Sequence, residues 1–286
     1  MKYRLLSFCT AVLLLISMIS VPRIEAANST ETFKDSADTK IVKLLEALGL
    51  MEIDSETGFF WDEMPVKRSE LAKIICKMFN ISETKDASPH FTDVSDYDRA
   101  YIETAIRNGY MSGYDNEKFG PDDYVTNIQL IKTFVTALGG DAAAQSQGGY
   151  PGGYITIGNM LGLLKGKAVA NENISCRIDV ANIIYTALHA DVLEIAGSVG
   201  NNINYKTVEG YTFLTEKRNI YRVKGIISQN EATSLNRDNG LGEGNVKIGT
   251  EIHCDDKHLT DDYLGCNVEC YVEIPKGDSV GKILYI

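Results

Sequence analysis

The chain has 286 residues, with 28 basic and 39 acidic side chains and a formal net charge of −11. That length accommodates one or two ordinary domains, and the acidic balance argues against nucleic acid or an anionic membrane as partner, because both repel it. A hydrophobic share of 44% excludes a predominantly disordered chain.

In chain order, Lys2 and Arg4 precede the apolar run Leu5 to Ile19, and small residues follow up to Ala27. A basic start, a short apolar core and small residues describe a secretory signal peptide over residues 1–26, cut after Ala26. The run is short for a bilayer span, which needs about 20 apolar residues. No sorting motif or tail anchor is read at Gly281 to Ile286, so a secreted chain of this kind is expected either to diffuse away or to be held by non-covalent binding. Beyond Cys9, the cysteines are Cys76, Cys176, Cys254, Cys266 and Cys270, an odd and scattered set that makes a poor disulfide framework.

A polar leader, 27–39, is followed by helical stripes. Ile41, Leu44, Leu45 and Leu48 form one, and Leu71, Ile74, Ile75, Met78 and Phe79 a second. Next come Phe91-Thr92-Asp93-Val94, in which Asp93 suits a tight turn, and a stripe of Tyr101, Ile102, Ala105 and Ile106. Gly109 ends that helix, Gly113-Tyr114 and Phe119-Gly120-Pro121 shape a loop, and Thr126 with Gln129 reads as a capping box. Leu130, Phe134 and Leu138 face inward. A turn at Gly148–Gly153 precedes Met160-Leu161-Gly162-Leu163 and a last stripe of Ile183, Ile184, Ala187 and Leu188. Leu71, Leu130 and Val180 correspond without gaps, as do Ile75, Phe134 and Ile184, and Phe79, Leu138 and Leu188. Neighbouring copies of one unit would bury each other's faces.

Phe91, Asp93, Val94, Gly109, Gly113, Tyr114, Phe119, Pro121, Val125 and Thr126 resemble the S-layer homology (SLH) repeat. The resemblance covers roughly residues 40–195, with units at 40–82, 88–140 and 148–196. It implies three SLH-like repeats in a pseudo-threefold arrangement, and binding to anionic secondary cell-wall polysaccharide, often carrying pyruvate ketals. At the family's T-R-A-E position the copies read Lys67-Arg68-Ser69-Glu70, Thr126-Asn127-Ile128-Gln129 and Cys176-Arg177-Ile178-Asp179. The resemblance therefore implies a glycan-binding set of Arg68, Arg177, Asp93, Glu70, Asp179 and Asn127, in which Asn127 lacks the guanidinium. A guanidinium fork pairs bidentately with a carboxylate, and a helix N-terminus adds free amides. The bland alternative is a surface pairing of Arg68 with Glu70 and of Arg177 with Asp179, which contributes only about 0–1 kcal/mol. Trp61 is expected to be partly buried, and Tyr150-Pro151-Gly152-Gly153-Tyr154 to be a turn between units.

From Tyr205 the period changes to that of strands. Ile220 to Ile227, Val246 to Ile248, Val268 to Ile274 and Val280 to Ile286 are expected strands of a small, mainly antiparallel β domain at 205–286. Val268, Cys270, Val272 and Ile274 form its inner face, alternating with Asn267, Glu269, Tyr271 and Glu273. His253, Cys254, His258, Cys266 and Cys270 fit no common zinc spacing. Ordinary buried thiols rank first there, a Cys254–Cys266 or Cys254–Cys270 disulfide second and a metal last. No cofactor or catalytic motif is read.

The whole is an α+β, non-enzymatic, cell-surface protein of the wall or S-layer. One alternative is a degenerate SLH scaffold that binds a protein partner in the envelope or spore layers. Another is a wall-associated hydrolase.

Overall fold

The protein is described from a computed structural model, over residues 35–37, 39–81, 91–164, 172–199, 202–236 and 239–286. The signal-peptide segment and most of the polar leader lie outside these residues.

Helix α1 (Lys40–Ala47) starts where Thr39 accepts the Val42 N–H, and it buries Val42, Leu44 and Leu45. Helix α2 (Arg68–Met78) buries Leu71, Ile74, Ile75, Cys76 and Met78. Helix α3 (Asp96–Arg107) begins at Ser95, whose hydroxyl accepts from the Asp98 N–H. It stops before Gly109, which sits at φ +76°, a left-handed conformation that glycine adopts at little cost. Helix α4 (Asn127–Ala137) has the expected box arrangement. Its well-formed half is the Thr126 N–H donating to Gln129 at 3.2 Å, whereas the buried Thr126 hydroxyl lacks a well-formed partner.

Two short helices then replace the expected turn between units. Helices α5 (Asp141–Ser146) and α6 (Gly152–Met160) pack together. A Cβ on Gly153 would fall 2.0 Å from the Ala144 carbonyl oxygen, so this approach requires glycine. Tyr154 is core here, 1% exposed, and its hydroxyl donates to Asp141. Helix α7 (Arg177–His189) follows.

The segments leading into α2, α4 and α7 meet in a closed ring. The Val66 N–H donates to the Ser175 carbonyl (3.1 Å), Ser175 to Val125 (2.8 Å) and Val125 to Val66 (2.9 Å). Two residues on, Arg68, Asn127 and Arg177 donate their N–H groups to the carbonyls of Asp123, Asn173 and Met64, each at 2.9 Å. The first N–H groups of a helix have no partner within it. Here the neighbouring segment supplies one, which ties the three helix starts together.

The third unit was expected to run to residue 196. Instead α7 gives way to a hairpin of β1 (Asp191–Val199) and β2 (Asn202–Thr212). Helix α8 (Phe213–Arg218) leads to β3 (Ile220–Gln229), β4 (Asn245–Ile248), β5 (Glu251–Cys254), β6 (Asn267–Glu273) and β7 (Gly281–Tyr285). These five strands close in the order β3-β4-β5-β7-β6, antiparallel except for β5 with β7. That is the order of an OB-type Greek-key barrel. Ile227, Val246, Ile248, Cys270, Val272 and Ile283 fill it.

Tyr271 keeps the expected alternation. It points away from the barrel interior, yet it is 0% exposed and belongs to the helical core with Phe213, Leu214 and Ile220. Its hydroxyl lies 2.9 Å from His189 Nε2, and His189 Nδ1 lies 2.7 Å from the Tyr185 carbonyl. A carbonyl only accepts, so Nδ1 carries the proton and Nε2 accepts from Tyr271. The barrel is thus docked onto α7, and Asp35–Ile286 forms one compact unit.

Candidate functional site

Arg68, Asn127 and Arg177 are the first residues of α2, α4 and α7. Their backbone positions are equivalent in the ring, but their side chains do different things. Arg68 is 6% exposed. Its Nε donates to the Phe119 carbonyl (3.1 Å) and its Nη2 to the Ser112 carbonyl (2.7 Å). The guanidinium lies 4.5 Å from the Phe119 ring centre and 4.8 Å from that of Tyr114. Burial lowers its pKa, against the raising influence of Tyr114, Asp123 and Asp93. An arginine nevertheless stays charged, since its free value is so high.

Arg177 repeats this pattern in the loop of the first unit. Nε donates to Phe60 (2.8 Å), Nη2 to Glu52 (2.7 Å), and the guanidinium covers the Phe60 ring at 4.7 Å. It adds an ion pair from Nη1 to Glu70 at 2.9 Å. Asn127 instead accepts from the Ser175 hydroxyl at 2.7 Å.

These contacts correct the expected surface pairs. Arg68 is buried on carbonyls, not paired with Glu70, and Glu70 of α2 reaches Arg177 of α7. Asp179 turns to its own helix start, accepting from the Cys176 N–H (3.3 Å) and thiol (3.0 Å).

Asp93 acts over a longer range than a local turn. Its carboxylate accepts the N–H groups of Phe119 (3.0 Å) and Gly120 (2.8 Å). Burial pushes its pKa up, but these N–H groups outweigh it, and the carboxyl titrates below its ordinary value. Asp35 does the same for Phe60 and Trp61, both at 2.8 Å, with its pKa lowered in the same way. The sequence reading placed Asp35 in the polar leader and missed it. The available signal was Phe33-Lys34-Asp35, the same F-x-D pattern as Phe91-Thr92-Asp93. Each aspartate fixes the loop whose phenylalanine carbonyl receives the arginine.

Two grooves result. The one at Arg68, of about 200 Å³, is lined by Tyr110, Tyr114, Gln129, Lys132 and Tyr150 among others. Lys132 Nζ lies 5.8 Å from the Tyr150 ring centre. Tyr150, expected in a plain turn, is therefore part of a groove wall. The second groove, at Arg177, holds about 100 Å³ and is lined by Glu52, Glu70, Lys73 and Lys77. Lys77 pairs with Glu52 at 3.4 Å there. A larger cavity of about 710 Å³ lies between α3 and the Gly109–Asn116 loop. None of the predicted site residues line it. Trp61, expected to be partly buried, is 42% exposed at φ +60°.

The five cysteines among the described residues are unoxidised thiols, and those of Cys76 and Cys176 are hydrogen-bonded. Cys76 and Cys270 are buried, and burial pushes the Cys270 thiol up to about 11. Cys266, however, is exposed. Strand β5, with Cys254, pairs with β4 and β7 and not with β6, which holds Cys270. His253 is buried inside the barrel whereas His258 faces Asp261, so the two imidazoles do not converge. Among the described residues no helix is long and apolar enough to cross a membrane.

Residues 90–130 match the S-layer homology domain. The chain is 23% identical over 300 residues to the middle cell wall protein of Brevibacillus brevis strain 47, an alignment covering 95% of this chain and 27% of that one. It is 27% identical over 158 residues to a surface layer protein of Brevibacillus choshinensis, covering 53% and 14% respectively. The chain thus spans about a quarter or less of the length of these relatives. The first alignment extends over the barrel as well as the helices.

Proposed function

We propose that this SLH-containing chain is a non-catalytic cell-surface protein that attaches non-covalently to the bacterial wall. In this reading three SLH-like units stand around a pseudo-threefold axis, with the barrel of residues 220–285 beside them. The ring of hydrogen bonds among Val66, Val125 and Ser175 supports that arrangement. Asp35 brings the start of the first unit forward from residue 40. The proposed ligand is an anionic secondary cell-wall polysaccharide, with pyruvate-bearing sugars as the prime candidates.

The observation that carries the reading is the repeated setting of Arg68 and Arg177. Each is oriented by two carbonyls and an aromatic ring at the floor of a groove between units. An acidic protein needs such local positive points to hold a polyanion. Arg68 and Arg177 are assigned to the ligand's carboxylate, with Glu70 tuning Arg177. Asp93 and Asp179 are assigned to shaping the groove walls. At the third junction Asn127 supplies a neutral, hydrogen-bonded contact.

Sedimentation with purified walls, whole or stripped of their polysaccharide, tests the reading. The native protein should pellet with whole walls only. Arg68→Lys and Arg177→Lys keep the charge but lose the fork, and together should weaken binding by roughly tenfold or more. Equal binding to stripped walls would remove the glycan from the mechanism. A second reading, a scaffold that binds an envelope protein, draws on Asn127 in place of arginine. It predicts a soluble protein that co-purifies with a partner in wall-free fractions.

A further inference from the structure

The loops of the first two units share a frame. Asp35 holds the N–H groups of Phe60 and Trp61, and Asp93 those of Phe119 and Gly120. Trp61 therefore occupies the place of Gly120, and both are left-handed, at φ +60° and +72°. Glycine adopts that conformation freely, whereas a bulky residue there is strained, and such strain is found where a site requires it.

The neighbouring position explains how an indole fits. A Cβ on Gly120 would fall 2.4 Å from Oδ2 of Asp123 and 2.5 Å from Cε2 of Tyr114, so that carboxylate and that ring fill the space. In the first unit the equivalent turn residue is Asp54. Its N–H donates to Phe59 (3.0 Å) just as that of Tyr114 donates to Lys118 (2.9 Å). No ring stands there, and the indole takes the vacated side of the loop. The Asp54 carboxyl is held low chiefly by the Thr57 N–H, and the Trp61 indole N–H contributes. Exposed aromatics thus stand on both loops, Tyr114 at the start of one and Phe59 with Trp61 at the end of the other.

Both rings face solvent while their neighbours form the core. Tyr114 is 56% and Trp61 42% exposed, whereas Phe60 and Phe119 are fully buried. Phe59 braces Trp61 edge-on at 5.3 Å, and Tyr114 rests on Arg68. Trp61 is outside the lining of the Arg177 groove itself, one peptide bond from the carbonyl that binds Arg177 Nε. A rigid aromatic face beside a fixed guanidinium suits a pyranose ring bearing an acidic group, because the ring's C–H face is apolar and its carboxylate pairs with the fork.

We propose that Trp61 and Tyr114 are the sugar-stacking platforms of the Arg177 and Arg68 grooves. This rests on the glycan reading above and adds the surface that grips the sugar ring.

Trp61 is the only tryptophan in the chain, so its emission reports this site alone. Polysaccharide extracted from Brevibacillus brevis walls should change the native emission saturably. Trp61→Gly introduces the residue of the sister loop and should melt within about 5 °C of the native protein. It should bind walls roughly tenfold more weakly, whereas Trp61→Phe keeps most of the affinity. Unchanged emission at saturation, or native-like binding by Trp61→Gly, would overturn the proposal while leaving the glycan reading intact. A larger loss of melting temperature in Trp61→Gly would make Trp61 a core residue and overturn it as well. Native protein that binds whole and stripped walls alike would remove the glycan reading itself.

Discussion

The grooves at Arg68 and Arg177 are built on one plan and offer different surfaces. In both, an aspartate ties down a loop, a phenylalanine carbonyl receives Nε and a second carbonyl receives Nη2. Around Arg68 the walls are tyrosines and Lys132, and no carboxylate pairs with it among the described residues. Around Arg177 the walls are lysines and glutamates, and Glu70 already holds Nη1. In the proposed reading a ligand carboxylate would compete with Glu70 for Arg177, whereas no carboxylate among the described residues is ion-paired with Arg68. Equivalent backbone positions therefore do not imply equal affinity. What distinguishes the grooves is the charge and aromaticity of side chains contributed by neighbouring units.

The largest expected effect separates the grooves by stability. Arg68→Ala leaves the buried carbonyls of Phe119 and Ser112 without a donor and opens a void between two rings. It should cost about 3 kcal/mol in urea unfolding, and Arg177→Ala, more exposed, about half as much. Equal losses would mean that the two arginines are bound alike.

Acid should act elsewhere. Burial lowers the pKa of His189 and of His253, each below the free value of 6.5. The unfolded chain then takes up protons first, so stability falls as pH drops below about 6.5. Protonated His189 could no longer accept from Tyr271. Melting temperature should thus decline from pH 7 to pH 5, with the barrel leaving α7, while the histidine-free groove contacts persist. A flat profile over that range would contradict the docking geometry.

Smaller effects come from the two loop aspartates. Asp93→Asn should loosen the Arg68 groove and Asp35→Asn the Arg177 groove, each by roughly 1 kcal/mol. Both carboxyls are lowered in the fold, so their contribution is present above the ordinary value of 3.8 and is lost as pH falls through the lowered one. Wall binding should drop in each variant by the share of the groove it supports.

Glu70→Gln should change stability by only about 0.5 kcal/mol, because the pair is partly exposed. It should nevertheless raise wall affinity, by freeing Arg177 for the ligand. Lower affinity would show that Glu70 orients Arg177 more than it competes with the glycan.

The amphipathic stripes of α1 to α4 and α7, the glycine stop at Gly109 and four of the five barrel strands were legible from residue type and spacing. So were Arg68 and Arg177 as the first residues of their helices, because helix starts carry a local signature. The hairpin β1–β2 was missed although Val192, Leu193 and Ile195 are typical strand residues, since the preceding helical pattern absorbed them. Strand β5 was missed because Glu251 to Cys254 is short and polar.

By itself, the sequence determined the long amphipathic helices and most of the barrel strands, where the repeated helix starts fall and which positions carry a guanidinium. Those properties depend on residues a few positions apart. Only the tertiary structure decided that Arg68 binds the carbonyls of Ser112 and Phe119, that Glu70 faces Arg177, and that Tyr271 is core. Every backbone carbonyl looks the same in sequence, and the partners lie dozens to more than a hundred residues away. Packing selects among them, and so it also set the difference between the two grooves.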